Sequence, residues 1–395
     1  MNKMLDLSAY EISSDLGFLT DFDQKQATLP EQLWPIESLA MRMPQLIPTN
    51  HVREHIDALP VVELNTFCGS AHPNVIRMAM VHYTFLAQSY IWGQDDVSHF
   101  LPECLARPIH QLAQVTGQPP ILTYSNYVLD NWRKIDNEGE IELSNIEVIQ
   151  PFLGGQDEAW FVLIHVAIEA AAGNVLVEFP PIIEAIHSRD FETIERGLLN
   201  IVDAWNTINT IFDRMPERCD PYIYFHRVRP WIHGFKDNPG LPNGVVYKGV
   251  TEFAEQGQFF RGQTGSQSSI VPSMDALLKI NHAVDPLRSY LDELHIYRPP
   301  AHRRFIEHVH ASGNLREAVL ASSHGGVKRA YNECLEKLAA FRTKHLEYAA
   351  SYINKQGGAG TGNSSSVGTG GTPFMKYLKK HRNEVNNQKV PLRTS

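Results

Sequence analysis

The sequence predicts an all-α fold, and three features carry that prediction. Apolar residues recur at spacings of three and four along the longer segments, the period of a helix with one buried face. The two-residue alternation of a half-buried strand is scarce, and so is hairpin punctuation: the one Asn-Gly pair, Asn243-Gly244, sits in a loop already broken by Pro239, Gly240 and Pro242. No segment repeats at a fixed period, which argues against a solenoid.

The elements follow in order. Pro119-Pro120 separates an N-terminal helical region from residues 121–132. Asp136-Asn137-Glu138-Gly139 and Gly154-Gly155-Gln156-Asp157 then bracket a polar connection of the kind that links domains. The boundary is placed near residue 152, giving a smaller, mainly helical N-terminal domain (1–152) and a large helical one (153–395). An apolar helix follows over residues 158–172, closed by Gly173 ahead of Pro180-Pro181, and a second covers about 190–213. The last long helix begins after Gly325-Gly326 and runs to about residue 353. Along it Tyr331, Leu335, Leu338, Phe341, His345, Tyr348 and Tyr352 form one mainly apolar stripe. A glycine- and serine-rich tract, residues 356–372, comes next, and residues 373–378 read as a new helical start. A tract tethered at both ends can act as a lid.

Composition narrows the class. With 395 residues, 43% hydrophobic and 20% charged, the chain is globular in character and long enough for more than one core. A formal charge of −9 leaves no basic surplus for a nucleic-acid backbone. The four cysteines lie far apart with no CxxC pair, which excludes the common zinc modules, does not suggest a disulfide scaffold, and suits a reduced, cytoplasmic setting. The first six residues show no apolar signal core, and the most apolar window, residues 159–168, is too short to span a bilayer, so no membrane partner is expected.

HExxH, GxSxG, GxGxxG on a strand–helix turn and GxxxxGK[ST] are all missing, so zinc hydrolase, serine hydrolase and nucleotide-binding readings find no support. Most of the 18 histidines stand singly, and His308-Val309-His310 reads as a surface feature. His345 and His165 differ, because each lies on an apolar helical face. Three of the helical neighbours of His165 (Phe161, Val162 and Ile168) are apolar, and only Glu169 is not. A lone histidine in such a place is more often a hydrogen-bonded core residue than a ligand. Two of them, on separate apolar helices in a protein without other metal motifs, point to haem, which needs an apolar slot and an axial imidazole. The residues alone leave open a non-catalytic haem protein that binds a diatomic gas or an indole, and a helical interaction protein with no cofactor.

Longer segments carry a resemblance. Tyr90-Ile91-Trp92-Gly93, Pro119-Pro120-Ile121-Leu122-Thr123-Tyr124, Val128-Leu129-Asp130-Asn131-Trp132, Gly234-Phe235-Lys236-Asp237-Asn238-Pro239, Gln267-Ser268-Ser269, Pro299-Pro300-Ala301-His302-Arg303, Phe341-Arg342-Thr343-Lys344-His345-Leu346 and Gly368-Thr369-Gly370-Gly371-Thr372 occur in this order. Together, over about residues 30–380, the chain resembles the indoleamine 2,3-dioxygenase family. The resemblance implies an all-helical fold and haem b held between a small and a large domain. It implies insertion of O₂ across the indole C2–C3 bond of L-tryptophan or a related indoleamine, giving N-formylkynurenine from L-tryptophan at the head of the kynurenine pathway. An electron donor that keeps the iron ferrous is implied as well, with a monomer the favoured assembly.

By the same resemblance His345 is the proximal iron ligand, Arg342 lies near a haem propionate, and Asp275 pairs with Arg342. Arg229 holds the substrate carboxylate. Tyr224 and Phe225 wall the indole site, and Tyr124, Tyr127, Val128 and Phe161 form its inner pocket. Gly262, Thr264 and Gly265 run along the substrate and haem edge, and Thr369 in the lid reaches the amino-acid end of the substrate. Three positions depart from the pattern. His165 stands where a small serine is usual, Trp160 takes a glycine position, and Tyr127 replaces a smaller residue. His165 can orient the indole N–H, or it can ligate the iron and block O₂, and the bulkier groups can narrow the pocket.

Overall fold

The structure, a computed structural model, describes residues 5–21, 27–282, 286–356, 368–369 and 374–392. It is 62% helical and 4% strand, the all-α class that the sequence predicts. Most of the residues 356–372 expected to form a lid lie outside the described ones; Gln356, Gly368 and Thr369 lie within.

Nine helices matter for the argument. The first two, α1 (Pro73–Trp92) and α2 (Glu103–Thr116), pack on each other. Helix α1 is buried on nearly every face, and its apolar composition reflects that. Helix α3 (Gln156–Ala171) is almost continuous with Gly173–Leu176 and α4 (Phe179–Ser188). Helix α5 (Phe191–Asp213), capped by Asp190 on Thr193 N, then lies along α8 (Gly325–Tyr352) in the most extensive helix pair of the fold. Between them in sequence come α6 (Ile270–Leu278) and α7 (Pro300–Ala311), and α9 (Phe374–Asn386) packs back onto α8. The apolar stripe of α8 is core through Tyr331, Leu335 and Leu338, each 0% exposed, and opens at Phe341 and His345.

Among the described residues, five short strands make two sheets. In one, β1 (Phe100–Leu101) pairs in parallel with β4 (Val245–Tyr247), which pairs antiparallel with β5 (Gly257–Gln258). In the other, β2 (Trp132–Lys134) and β3 (Ile146–Val148) form an antiparallel hairpin with Trp132 opposite Val148. The polar connection expected between domains therefore holds the loop and the second strand of this hairpin. Its loop is tied by Asn145, whose Nδ2 donates to the carbonyls of Asp136 and Glu140. Buried Glu158, in the first turn of α3, then accepts the backbone N–H groups of Phe152, Leu153 and Gly154 at 2.6, 3.0 and 2.7 Å. Strands of two or three residues are too short to show alternation, which is why the sequence does not announce them.

Two further expectations change. The helix ends at Ala171, within a residue of the expected 172, but the next helical turn opens at once at Gly173. Gly173 stands where the backbone of Ser14 comes so close that a Cβ would sit 2.0 Å from the Ser14 carbonyl oxygen. Helical structure thus runs on, and the segment 156–188 is long and apolar enough to cross a membrane by length and composition. With 72% of its most apolar window buried inside the protein, it is a core element of this fold.

Candidate active site

Helices α3 and α8 face each other across a cavity of about 580 Å³, and each contributes one histidine to its wall. His165 follows Phe161 by one turn on α3, and its Nδ1 lies 2.7 Å from the Phe161 carbonyl oxygen. That oxygen can only accept, so Nδ1 carries the proton and Nε2 keeps a lone pair. Burial lowers the His165 pKa, partly offset by this hydrogen bond. His345 makes no ring hydrogen bond among the described residues, and burial, with His165 nearby, lowers its pKa to about 4. Both imidazoles are therefore neutral near pH 7, as an axial ligand must be. Ile168, Trp205, Phe212, Val271 and Phe341 supply apolar wall between them.

The cavity is polar at one end. Arg342 donates from Nη2 to both carboxylate oxygens of Asp275, at 2.9 and 2.7 Å, so the pair implied by resemblance is formed. Asp275 in turn accepts from His282 Nε2 at 3.0 Å, and His282 Nδ1 faces Glu384 at 2.6 Å. Burial would raise the Asp275 pKa, but Arg342 and His282 outweigh it and hold the carboxyl below its ordinary value. Arg298, 3% exposed, also lines the cavity and donates to the carbonyls of Ser268 and Ser266.

One acidic residue that sequence reading passed over lies in the same wall. Glu169, one turn beyond His165 and 0% exposed, accepts from the Tyr124 hydroxyl and Ser268 Oγ through Oε1, each at 2.8 Å. Its Oε2 has no partner among the described residues, and burial raises its pKa to about 7 against those two hydrogen bonds. Gln267 holds Tyr124 from the other side, accepting its backbone N–H at 2.8 Å while Nε2 donates to the Gly262 carbonyl.

The folded pKa of Glu169 lies above the unfolded one. Its stabilising contribution is therefore complete below about pH 4.5 and is lost as pH rises through about 7. Glu169→Gln, which cannot ionise, is expected to melt above the parent at pH 8 and to lose that advantage at pH 5. The difference should reach about 3 kcal/mol. Melting curves at the two pH values test this, and a pH-independent offset would refute it.

The remaining expected site residues gather beside His165 and beyond the cavity wall. The Phe161 ring lies 4.8 Å from that of His165, 4.7 Å from Tyr224 and 6.3 Å from Tyr127. Tyr127 and Val128 sit on the π-helical turn Ser125–Leu129, Tyr224 and Phe225 on the π-helical turn Tyr224–Val228. Such turns recur at functional sites because they re-aim side chains. Arg229 follows the second turn, wholly buried, with its guanidinium 5.4 Å from the Phe225 ring centre and Nη1 donating to His233 Nε2 at 3.4 Å. Burial lowers its pKa to about 10, so it stays charged.

Thr369 docks nearby: its Oγ1 donates to the Gln263 carbonyl at 2.6 Å, and its own carbonyl accepts from Gly234 N at 3.2 Å. Gly265 borders the cavity. Gly262 does not; it packs so tightly on Gly234 that a Cβ would lie 2.3 Å from Gly234 N. Thr264 caps the turn Gly265–Gln267.

Trp160 does not narrow the pocket. It faces the other side of α3, where its Nε1 donates to the Arg214 carbonyl and Arg218 lies 4.9 Å over its ring. Tyr127 is wholly buried against Phe85 and Phe161. His302, in Pro299-Pro300-Ala301-His302-Arg303, is a core histidine packed on Phe18, its pKa lowered to about 3 by burial.

A cavity of about 580 Å³ with apolar walls, a neutral imidazole with no hydrogen bond among the described residues, and arginines at its polar end fits an iron porphyrin. The comparisons agree. A model of the indoleamine 2,3-dioxygenase family matches residues 6–388, extending the resemblance to the N-terminal segment. Indoleamine 2,3-dioxygenase 1 of Rattus norvegicus is 33% identical over 94% of this chain and 93% of its own length. Indoleamine 2,3-dioxygenase 2 of Mus musculus is 32% identical over 96% and 95%. The Saccharomyces cerevisiae indoleamine 2,3-dioxygenase is 31% identical over 96% and 92%. With relatives this similar along nearly its whole length, the chain belongs to the indoleamine 2,3-dioxygenase family, a family of haem-dependent oxidoreductases.

Proposed function

We propose that this protein binds haem b with His345 as proximal ligand and converts L-tryptophan and O₂ to N-formylkynurenine, the first step of the kynurenine pathway. The observation that carries the reading is the pair of neutral histidines, from two helices, on one apolar cavity. Bound haem supplies O₂ activation, and both oxygen atoms enter the product across the indole C2–C3 bond. Residues 1–152 and 153–395 form the two domains of this reading, and an electron donor keeps the iron ferrous.

The chain's own residues orient the substrate. Arg229 offers a fixed fork of N–H groups to the substrate carboxylate, in a site dry enough to make that pairing strong. Phe161, Tyr224, Tyr127 and Val128 wall the indole, and Thr369 with Thr264 and Gly265 closes the amino-acid end. Arg342, held by Asp275, faces a haem propionate. His165 acts by orientation: its Nε2 lone pair accepts the indole N–H, since the Phe161 carbonyl fixes the proton on Nδ1. Tyr124 is held in the wall by Glu169 and Gln267.

The test is anaerobic reduction of the purified protein, followed by O₂ and L-tryptophan, with absorbance of the formylated product followed in time. Steady product formation is expected; retained haem without turnover refutes the reading. For His165 the parent should reject 1-methyl-L-tryptophan, and His165→Ala should narrow that discrimination about tenfold or more. Equal discrimination in parent and variant would show that His165 does not read the N–H.

A further inference from the structure

His282, His381 and Glu384 come from the segment after α6 and from α9, and the sequence motifs do not connect them. One ligand atom from each lies within 4.8 Å of the other two. His381 and Glu384 are three residues apart on α9 and so share a face. The cluster is sheltered, with the side chains of His282 and Glu384 only 5% and 14% exposed. We propose that these three residues form a binding site for a divalent transition-metal ion of the zinc type, which ties the C-terminal helix to the segment following α6.

Three observations support it. First, two imidazoles and one carboxylate are a donor set that suits zinc and its neighbours and not magnesium or calcium. Second, the outer partner is already in place. Asp275 accepts from His282 Nε2 at 3.0 Å, which turns Nδ1 toward Glu384, the carboxylate–histidine–metal arrangement that orients a metal-binding imidazole. Asp275 is itself anchored through both oxygens by Arg342, whose charge it offsets. Third, the His381 ring makes no hydrogen bond among the described residues and lies 4.6 Å from the His282 ring, so its lone pair is available on the right side.

Zinc at 2.0–2.1 Å from His282 Nδ1 and a Glu384 oxygen needs these atoms about 3.3 Å apart. They now lie at 2.6 Å, a gap that rotation of the Glu384 side chain supplies. Three protein ligands leave a fourth position for water. His282 and His381 also border the polar end of the large cavity, so the ion would sit behind Arg342, outside the space between His165 and His345.

Equilibrium dialysis of tag-free, full-length protein against micromolar ZnCl₂, with zinc and iron measured by plasma mass spectrometry, tests the proposal. The parent should take up about one zinc ion per chain at this site. His381→Ala and the near-isosteric Glu384→Gln should each lose it with their far-ultraviolet circular dichroism unchanged. Asp275→Asn should weaken zinc binding by about 10- to 100-fold. A His308→Ala/His310→Ala variant, which removes the exposed histidine pair, should keep it. Zinc uptake unchanged in Glu384→Gln and His381→Ala, or no uptake by the parent, overturns the site.

Discussion

His345→Ala is expected to fold and to lose its haem. The His345 imidazole already faces the cavity and makes no ring hydrogen bond among the described residues, so trimming it opens no new void in packed core. The stripe of α8 stays anchored on both sides. Tyr331 donates to the Leu278 carbonyl, Tyr348 to that of Phe212 and Tyr352 to that of Cys219. What is lost is the neutral nitrogen proposed as the iron ligand, and apolar walls alone hold a porphyrin loosely. The Soret band and iron content of the purified variant should fall to background while circular dichroism matches the parent. Added imidazole, which restores the missing nitrogen, should recover part of the Soret band. A variant that keeps haem with the parental spectrum would show that another group, His165 first among them, is the ligand.

The long elements were legible because their physics is local. Apolar residues at helical spacing mark α3 at 156–171 against an expected 158–172, α5 at 191–213 and α8 at 325–352, each within a turn of its expected ends. The strands were not, since two or three residues cannot display a period. Gly173 does follow the end of α3, but a glycine required by the approach of Ser14 looks, in sequence, like one that opens a loop. Whether Trp160 narrows the pocket is likewise open in the sequence, because a bulky residue at a glycine position says nothing about which side of α3 it occupies. In the site, the apolar stripe of α8 singles out His345, and the resemblance adds Arg342 and Asp275, whose pairing the structure shows. The contacts of Glu169 with Ser268, 99 positions away, and of His282 with Glu384, 102 positions away, left no local trace. Only the packing of α3 and α9 against the segments around α6 brings those groups together.

Arg229→Ala is expected to keep haem and raise the KM for L-tryptophan by about 30- to 1000-fold, or about 2–4 kcal/mol. The size follows from burial. A guanidinium wholly shielded from water, its pKa lowered to about 10 yet still charged, pairs with a carboxylate far more strongly than an exposed arginine would. Its position after the π-helical turn Tyr224–Val228, against the Phe225 ring, fixes the fork before substrate arrives, so little ordering is spent on binding. Arg229→Lys should rescue little of the loss, because an ammonium cannot give two parallel hydrogen bonds from that stem. Tryptamine, which lacks the carboxylate, provides the control: the parent should handle it as poorly as Arg229→Ala does, and the variant should discriminate between the two compounds far less. The contrast with His345→Ala separates the halves of the site, since one substitution removes the cofactor and the other leaves the Soret band intact. If Arg229→Ala keeps both the parental KM and the parental preference for the carboxylate, another cation holds the substrate carboxylate. Arg298 and Arg288, which line the cavity shared by His165 and His345, would then be the cations to test next.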